Sequence, residues 1–242
     1  MGEVTLPHAP YNAHPFLMRV LLTRPLAQSE GFAAQIRARF GEVVETAICP
    51  LVEIVFLPVE VDFSGFDAVV FTSQNGVAAY HRLGGPARLS AYCVGDRTAQ
   101  AARGLGMEAF SADGDVRALN ALVAKKANGA KLAHLSGRDV AGKIDGNITR
   151  IEAYFQAPVE PSPAMQALLA HDDTLIVPLF SAQGARRFDA AIGQGSRAGL
   201  HAICMSRAVA DQLDPAQFKE IRHDGPPSAK GMLDKMSDFF PP

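Results

Sequence analysis

The stretch Phe71-Thr72-Ser73-Gln74-Asn75-Gly76-Val77 is followed downstream by Tyr92-Cys93-Val94-Gly95-Asp96-Arg97-Thr98-Ala99. The same pair of phrases returns later in the chain. Leu179-Phe180-Ser181-Ala182-Gln183-Gly184-Ala185 precedes Ile203-Cys204-Met205-Ser206-Arg207-Ala208-Val209-Ala210. The two copies keep nearly equal separations, 73 to 181 and 95 to 206. Each phrase is an apolar strand that runs into serine or glycine and then into a helical pattern. In a parallel sheet such turns bring hydroxyls and backbone N–H groups to the carboxyl edge, where ligands bind. Two such edges facing each other would make a two-walled cleft.

Working outward, strand-sized apolar runs alternate with helical periodicity on both sides of these phrases. Strands are expected at 19–23, 43–48, 67–72, 91–94, 107–110, 131–136, 174–179, 200–204 and 218–223. Helices are expected between them. Examples are Phe32, Ile36 and Phe40 at helical spacing behind a proposed Ser29 cap, and Val116, Leu119 and Val123 on one face. Such alternation predicts an α/β protein with doubly wound parallel sheets.

Prolines suggest where the chain changes domain. Pro50 and Pro58 flank an alternating stretch, and residues 150–159 lead into Pro158, Pro161 and Pro163. Strands bounded by proline suit an edge or a linker. The expected organisation is therefore a discontinuous domain, 18–50 plus 160–242, with a second domain, 60–150, inserted into it. Residues 51–59 and 151–159 form a two-stranded linker. Residues 1–17 read as a flexible extension or an upstream start choice, with Met18 opening the first strand.

Composition narrows the function classes. The chain has 242 residues, 48% of them hydrophobic and 20% charged, and a net charge of −2. Binding nucleic acid by bulk electrostatics calls for a basic surface, so nucleic acid is not expected as a partner. No apolar run reaches the roughly 18 residues of a membrane span. The three cysteines lie far apart in apolar contexts, as buried thiols in a reducing compartment would. A cytoplasmic monomer is expected.

Familiar catalytic signatures are missing. The phosphate loop and the nucleophile elbow are absent, and the glycines do not space as a dinucleotide fingerprint. No two of the seven histidines stand at i, i+2 or i, i+4, so no metal is expected. His81, His171 and His223 are expected at the surface and His134 as a core histidine. For Ser73 and Ser181 a helix N-cap is the plain reading. The recurrence of the whole phrase points beyond capping, because caps need not repeat their flanking strands and glycines.

The ordered set Val20-Leu21-Leu22-Thr23-Arg24-Pro25, the phrases at 71–77 and 93–99, His134-Leu135-Ser136-Gly137-Arg138-Asp139, Phe180-Ser181 and Ile203-Cys204-Met205-Ser206 resembles the uroporphyrinogen-III synthase family. The resemblance implies two α/β domains joined by a two-stranded linker and a site in the cleft between them, working without metal or cofactor. It implies a small-molecule substrate, the linear tetrapyrrole hydroxymethylbilane, cyclised with inversion of its ring D. The position of Thr98 is a candidate for assisting hydroxyl departure, and the family's linker tyrosine falls on Tyr154. Ser73, Asn75, Gly76, Gly95, Ser181, Gln183 and Ser206 are the expected substrate-binding positions. Two departures stand out. Val209 replaces a common threonine, and the segment between Asp139 and Arg150 is too short for the family's usual helix. They leave a second possibility open, a non-catalytic module that binds a tetrapyrrole or another small polyanion.

Overall fold

A computed structural model describes residues 18–42, 44–127, 129–140, 142–193 and 196–240. The reading of residues 1–17, and Val43 in the second expected strand, lie outside the described residues. The chain divides into two compact units, Glu53–Ala157 and the discontinuous pair Met1–Val52 with Pro158–Pro242.

The continuous unit carries a six-stranded sheet. Its strands are β3 (Val52–Phe56), β4 (Ala68–Phe71), β5 (Ser90–Cys93), β6 (Ala109–Ser111), β7 (Leu132–Gly137) and β8 (Ile148–Pro158), in the order β3-β8-β7-β4-β5-β6. The pairs from β8 through β6 are parallel. Leu57 N–H donates to the Ala153 carbonyl (2.9 Å) and Val159 N–H to the Leu51 carbonyl (3.1 Å), so β3 runs antiparallel to β8. Helices α2 (Gln74–Arg82) and α3 (Asp96–Gly104) cover one face, and α4 (Val116–Lys126) the other. Strand alternation explains the continuous apolar runs. Val69, Phe71, Ala133 and Leu135 point toward α2 and α3, while Ala68, Val70 and Leu132 point toward α4. A sheet buried on both faces needs apolar residues at every position.

The discontinuous unit repeats the plan with β1 (Arg19–Leu22), β2 (Glu45–Ile48), β9 (Thr174–Leu179), β10 (Gly199–Cys204) and β11 (Glu220–Arg222), all parallel, in the order β11-β10-β9-β1-β2. Val20, Leu22, Ile176 and Ile203 pack with α1 (Leu26–Phe40) and α8 (Ala229–Met236). Leu21, Leu175, Val177 and Leu200 pack with α5 (Pro163–Ala170), α6 (Ala182–Ile192) and α7 (Arg207–Ala210).

Several sequence expectations shift. Ser29 does not cap α1. Pro25 occupies the cap position, its ψ outside the helical range and its carbonyl accepting from Ser29 N–H at 3.0 Å, and the buried Ser29 hydroxyl donates to the Arg24 carbonyl at 2.9 Å. The strand expected from Met107 begins at Ala109, and the one from Phe218 at Glu220 after a 3-10 turn over Pro215–Gln217. The helix expected between the strands at 200–204 and 218–223 is a single turn, Arg207–Ala210. His223 is half-buried rather than exposed. No helix forms between Asp139 and Arg150. That segment lies on α4 instead, where the Asn120 amide bonds the Lys143 carbonyl (3.2 Å) and the Asp145 carboxylate (2.9 Å), and Ile144 is buried.

Gly76, in the first turn of α2, is demanded by packing. A Cβ there would stand 2.5 Å from the Leu135 carbonyl oxygen of β7. Gly76→Ala must lift α2 off the sheet. We expect a cost of about 2 kcal/mol and a fall of roughly 5 °C in the melting midpoint, read by thermal denaturation. An unchanged midpoint would contradict this contact.

Candidate functional site

In doubly wound sheets ligands bind outside the carboxyl ends of the strands, where the order of connection reverses. In the continuous unit β4 leads to β5 on one side and β7 to β8 on the other, so the reversal lies between β4 and β7. Alternation places Ser73 on the Phe71 face, toward α2, and Thr72 on the Val70 face, toward α4.

Ser73 is the N-cap of α2, and its Oγ accepts from Gly76 N–H at 3.2 Å. The same oxygen lies 2.7 Å from the Tyr154 hydroxyl. Tyr154 is brought there by a bulge. Ser136 pairs with Glu152, yet Gly137 pairs with Tyr154, which leaves Ala153 as the extra residue in β8. One extra residue moves the tyrosine to the other face of the sheet. Its ring then passes Gly137, where a Cβ would meet ring carbon Cε2 at 2.8 Å.

The bulge is fastened from β8 itself. The Arg150 guanidinium donates to Ser136 Oγ (2.9 Å) and to the carbonyls of Gly137 (2.8 Å) and Arg138 (2.7 Å), while Arg138 N–H donates to the Tyr154 carbonyl (3.0 Å). Tyr154 is 7% exposed. Burial raises its phenol above the ordinary value, with the Ser73 hydroxyl and the Gly137 amide partly offsetting it. The group is therefore a neutral hydrogen-bond donor throughout the neutral range.

On the other face His134 Nε2 lies 3.2 Å from Thr72 Oγ1. Burial, and then the Arg150 charge, push this imidazole down to about 4. The unfolded chain takes up a proton at this ring near its ordinary value of 6.5, and the folded chain does not until about 4. Stability therefore falls as pH drops through that window, by up to about 3 kcal/mol from this residue. His134→Asn, which keeps a polar partner for Thr72, should flatten the loss in denaturant midpoints measured at neutral and acid pH. An equally steep loss in the variant would exclude His134 as its source.

Beside this centre, Gly95 is the N-cap of α3, in extended backbone and with no side-chain cap bond. Thr98 sits one turn into α3, buried, with its N–H on the Gly95 carbonyl at 3.1 Å. Asn75 is half-buried in the first turn of α2.

The discontinuous unit has its own reversal, between β1 and β9. Ser181 caps α6, its Oγ accepting from Gly184 N–H at 3.1 Å, and exposed Gln183 follows in the first turn. Ser206 caps α7 through its backbone alone. Val209, the counterpart of Thr98, is packed into the core with Leu179 and Cys204. Two cations stand at this edge. Lys235 donates to the Cys204 carbonyl (3.0 Å), and the Arg24 guanidinium lies over the Phe180 ring at 4.2 Å.

Of the nine positions singled out in the sequence, Ser73 and Tyr154 are thus in direct contact. Ser73, Gly95, Ser181 and Ser206 are helix caps, and Asn75, Gly76, Thr98 and Gln183 lie in first turns. Sequence reasoning did not single out Gly137 and Arg150, which lie at the bulge that carries Tyr154. A glycine closing an apolar strand was the available signal for Gly137. All three cysteines are buried, and burial pushes the thiols of Cys93 and Cys204 up to about 12. Among the described residues no three His, Cys, Asp or Glu side chains gather as a metal site, and no helix is long and apolar enough to cross a membrane.

The model of one protein family, described as uroporphyrinogen-III synthase HemD, matches residues 30–234. The crystal structure of uroporphyrinogen-III synthetase from Helicobacter pylori superposes with a TM-score of 0.65, covering 92% of this chain and 99% of that one at 14% identity. A likeness at that identity speaks for the fold. No curated protein matches the chain in sequence.

Proposed function

We infer that this chain, which belongs to the uroporphyrinogen-III synthase family, converts hydroxymethylbilane to uroporphyrinogen III. The single observation that carries the function is the family match over residues 30–234. It tells against the non-catalytic binding module, and the two departures that motivated that possibility are accounted for by packing. Val209 lies in the core, and the short segment after Asp139 is seated on α4.

The reaction loses water and rearranges, which makes the enzyme a carbon–oxygen lyase. Ring A gives up its hydroxyl to form an electrophilic azafulvene. The substituted carbon of ring D attacks it, and the spiro intermediate fragments and recloses with ring D inverted. Left alone, the linear substrate closes without inversion to the type I isomer. Much of the effect is therefore positioning, and the turn amides and hydroxyls around Ser73, Asn75, Gly76, Gly95, Ser181, Gln183 and Ser206 bind the substrate carboxylates.

Hydroxyl departure needs a proton donor. The Tyr154 phenol suits that role because it is neutral, buried and oriented by Ser73. Thr98 assists from α3. Thr98→Ala should lower turnover about tenfold through a lost hydrogen bond, with a smaller change in melting midpoint. A stability loss with turnover intact would make the threonine purely structural. The protein works as a cytoplasmic monomer on a small-molecule substrate, without nucleic acid and without a cofactor.

The function is tested by following hydroxymethylbilane consumption. Saturable consumption faster than the spontaneous closure is expected. A rate equal to the spontaneous one, from folded protein, would overturn it.

A further inference from the structure

We propose that Arg150 is a positioning residue for Tyr154: its guanidinium holds the end of β8 in the bulged register that sets the phenol against Ser73. The proposal rests on the role given above to Tyr154 and adds the residue that selects where the phenol stands.

Regular and bulged pairing put Tyr154 on opposite faces of the sheet. Alternation places His134 and Ser136 on one face of β7, and their partners Arg150 and Glu152 on the same face of β8. Without Ala153 as an extra residue, Tyr154 would follow Arg150 and Glu152 onto that face, away from Ser73. A slip of one residue at the end of β8 would leave the pairs from Leu132–Ile148 to Ser136–Glu152 in place and remove the phenol from the site.

Arg150 fastens the bulged register. Its Nε donates to Ser136 Oγ at 2.9 Å, and its Nη2 donates to the carbonyls of Gly137 at 2.8 Å and Arg138 at 2.7 Å. These acceptors belong to three successive residues, at the place where the pairing of β7 and β8 shifts. Bulges disrupt the ladder at such a point, so hydrogen bonds from a side chain decide which register is held. A guanidinium is a rigid planar fork that meets a side-chain oxygen and two carbonyls at once. A lysine ammonium is a point charge without that fork.

A second arginine is built for the same register. The Arg138 guanidinium donates to Glu152 Oε1 at 3.0 Å and lies over the Phe155 ring at 4.5 Å. Glu152 and Phe155 are three positions apart, and in a regular strand they would face opposite ways. The bulge between them brings both within reach of one guanidinium. The Arg138 side chain is 57% exposed, so its ion pair contributes little. The fork of Arg150 carries the hold.

The test compares Arg150→Gln and Arg150→Lys with the wild-type chain in steady-state conversion of hydroxymethylbilane, together with thermal unfolding. In both, kcat is expected to fall about tenfold, as displacement of a reacting group should. KM is expected to stay within about twofold, since Arg150 lies on the face opposite Tyr154 and acts through it. Added to Tyr154→Phe, Arg150→Gln should cost less than about twofold in further turnover. Where Tyr154→Phe is slow, wild-type kcat in either folded variant overturns the proposal, and so do fully additive losses in the double variant. Failure of both variants to fold overturns it too, since Arg150 would then serve the fold itself.

A spectroscopic arm separates this proposal from the role given to Tyr154. The chain is labelled with carbon-13 at the tyrosine ζ position, and the Tyr154 signal is the one that Tyr154→Phe removes. That signal is expected to shift in Arg150→Gln while the remaining tyrosine signals stay. A shifted signal together with full turnover in Tyr154→Phe would end the proton-donor role and leave the positioning role standing. An unmoved signal in folded Arg150→Gln overturns the positioning role, whatever the outcome for catalysis.

Discussion

Tyr154→Phe is expected to reduce turnover about a hundredfold, the low end of what a positioned proton donor contributes. The substitution removes one oxygen and nothing else. The phenylalanine ring can keep its place beside Gly137 and Phe56, whose ring lies 6.4 Å away by centroid. Ser73 Oγ still accepts from Gly76 N–H, so the cap of α2 survives. Stability should therefore change by about 1 kcal/mol or less. Hydroxymethylbilane also closes unaided, so a slower enzyme loses substrate to that side reaction. The variant should raise the share of type I product at fixed enzyme concentration. Isomer separation after oxidation reads both effects. Wild-type turnover in a folded variant would remove Tyr154 from the chemistry.

Gly137→Ala is expected to act through the same phenol, without touching it chemically. The backbone at Gly137 accepts any residue, since its φ lies outside the left-handed region. The obstacle is the ring. A methyl group would stand 2.8 Å from Tyr154 Cε2 and 3.1 Å from Cζ. The ring must move, and its hydroxyl then leaves Ser73. We expect turnover to fall by more than tenfold, because small misplacements of a reacting group are costly, with a stability cost of about 1–2 kcal/mol. The decisive comparison is the double variant. If glycine serves only to seat the phenol, adding Gly137→Ala to Tyr154→Phe costs little further turnover. Fully additive losses would mean that Gly137 serves something other than Tyr154.

The recurrence of the strand-to-helix phrase made the doubly wound architecture legible. Runs such as Leu175 to Leu179 are apolar at every position because helices cover both faces of the sheet. Caps were partly legible. Ser73 and Ser181 accept helix N–H bonds, whereas Ser29 gives way to Pro25, four residues earlier. The pairing of Ser73 with Tyr154 could not be read, because it depends on one extra residue, Ala153, in a strand 81 positions away. Alternation counted along β8 without that bulge would send the phenol to the wrong face. Gly137 and Arg150 were overlooked for the same reason, since their importance lies in what the bulge places beside them. Thr98 and Val209 also taught something sequence could not. Both sit one turn inside short helices and are buried, so their exchange across the two copies is a matter of core packing at 209.

The measurement that tests the account most directly is the isomer composition of the product. Hydroxymethylbilane is generated in situ, the purified full chain is added, and the products are oxidised and separated. A change from type I to type III that grows with protein concentration is expected. Type I alone at every concentration, from folded protein, would contradict it.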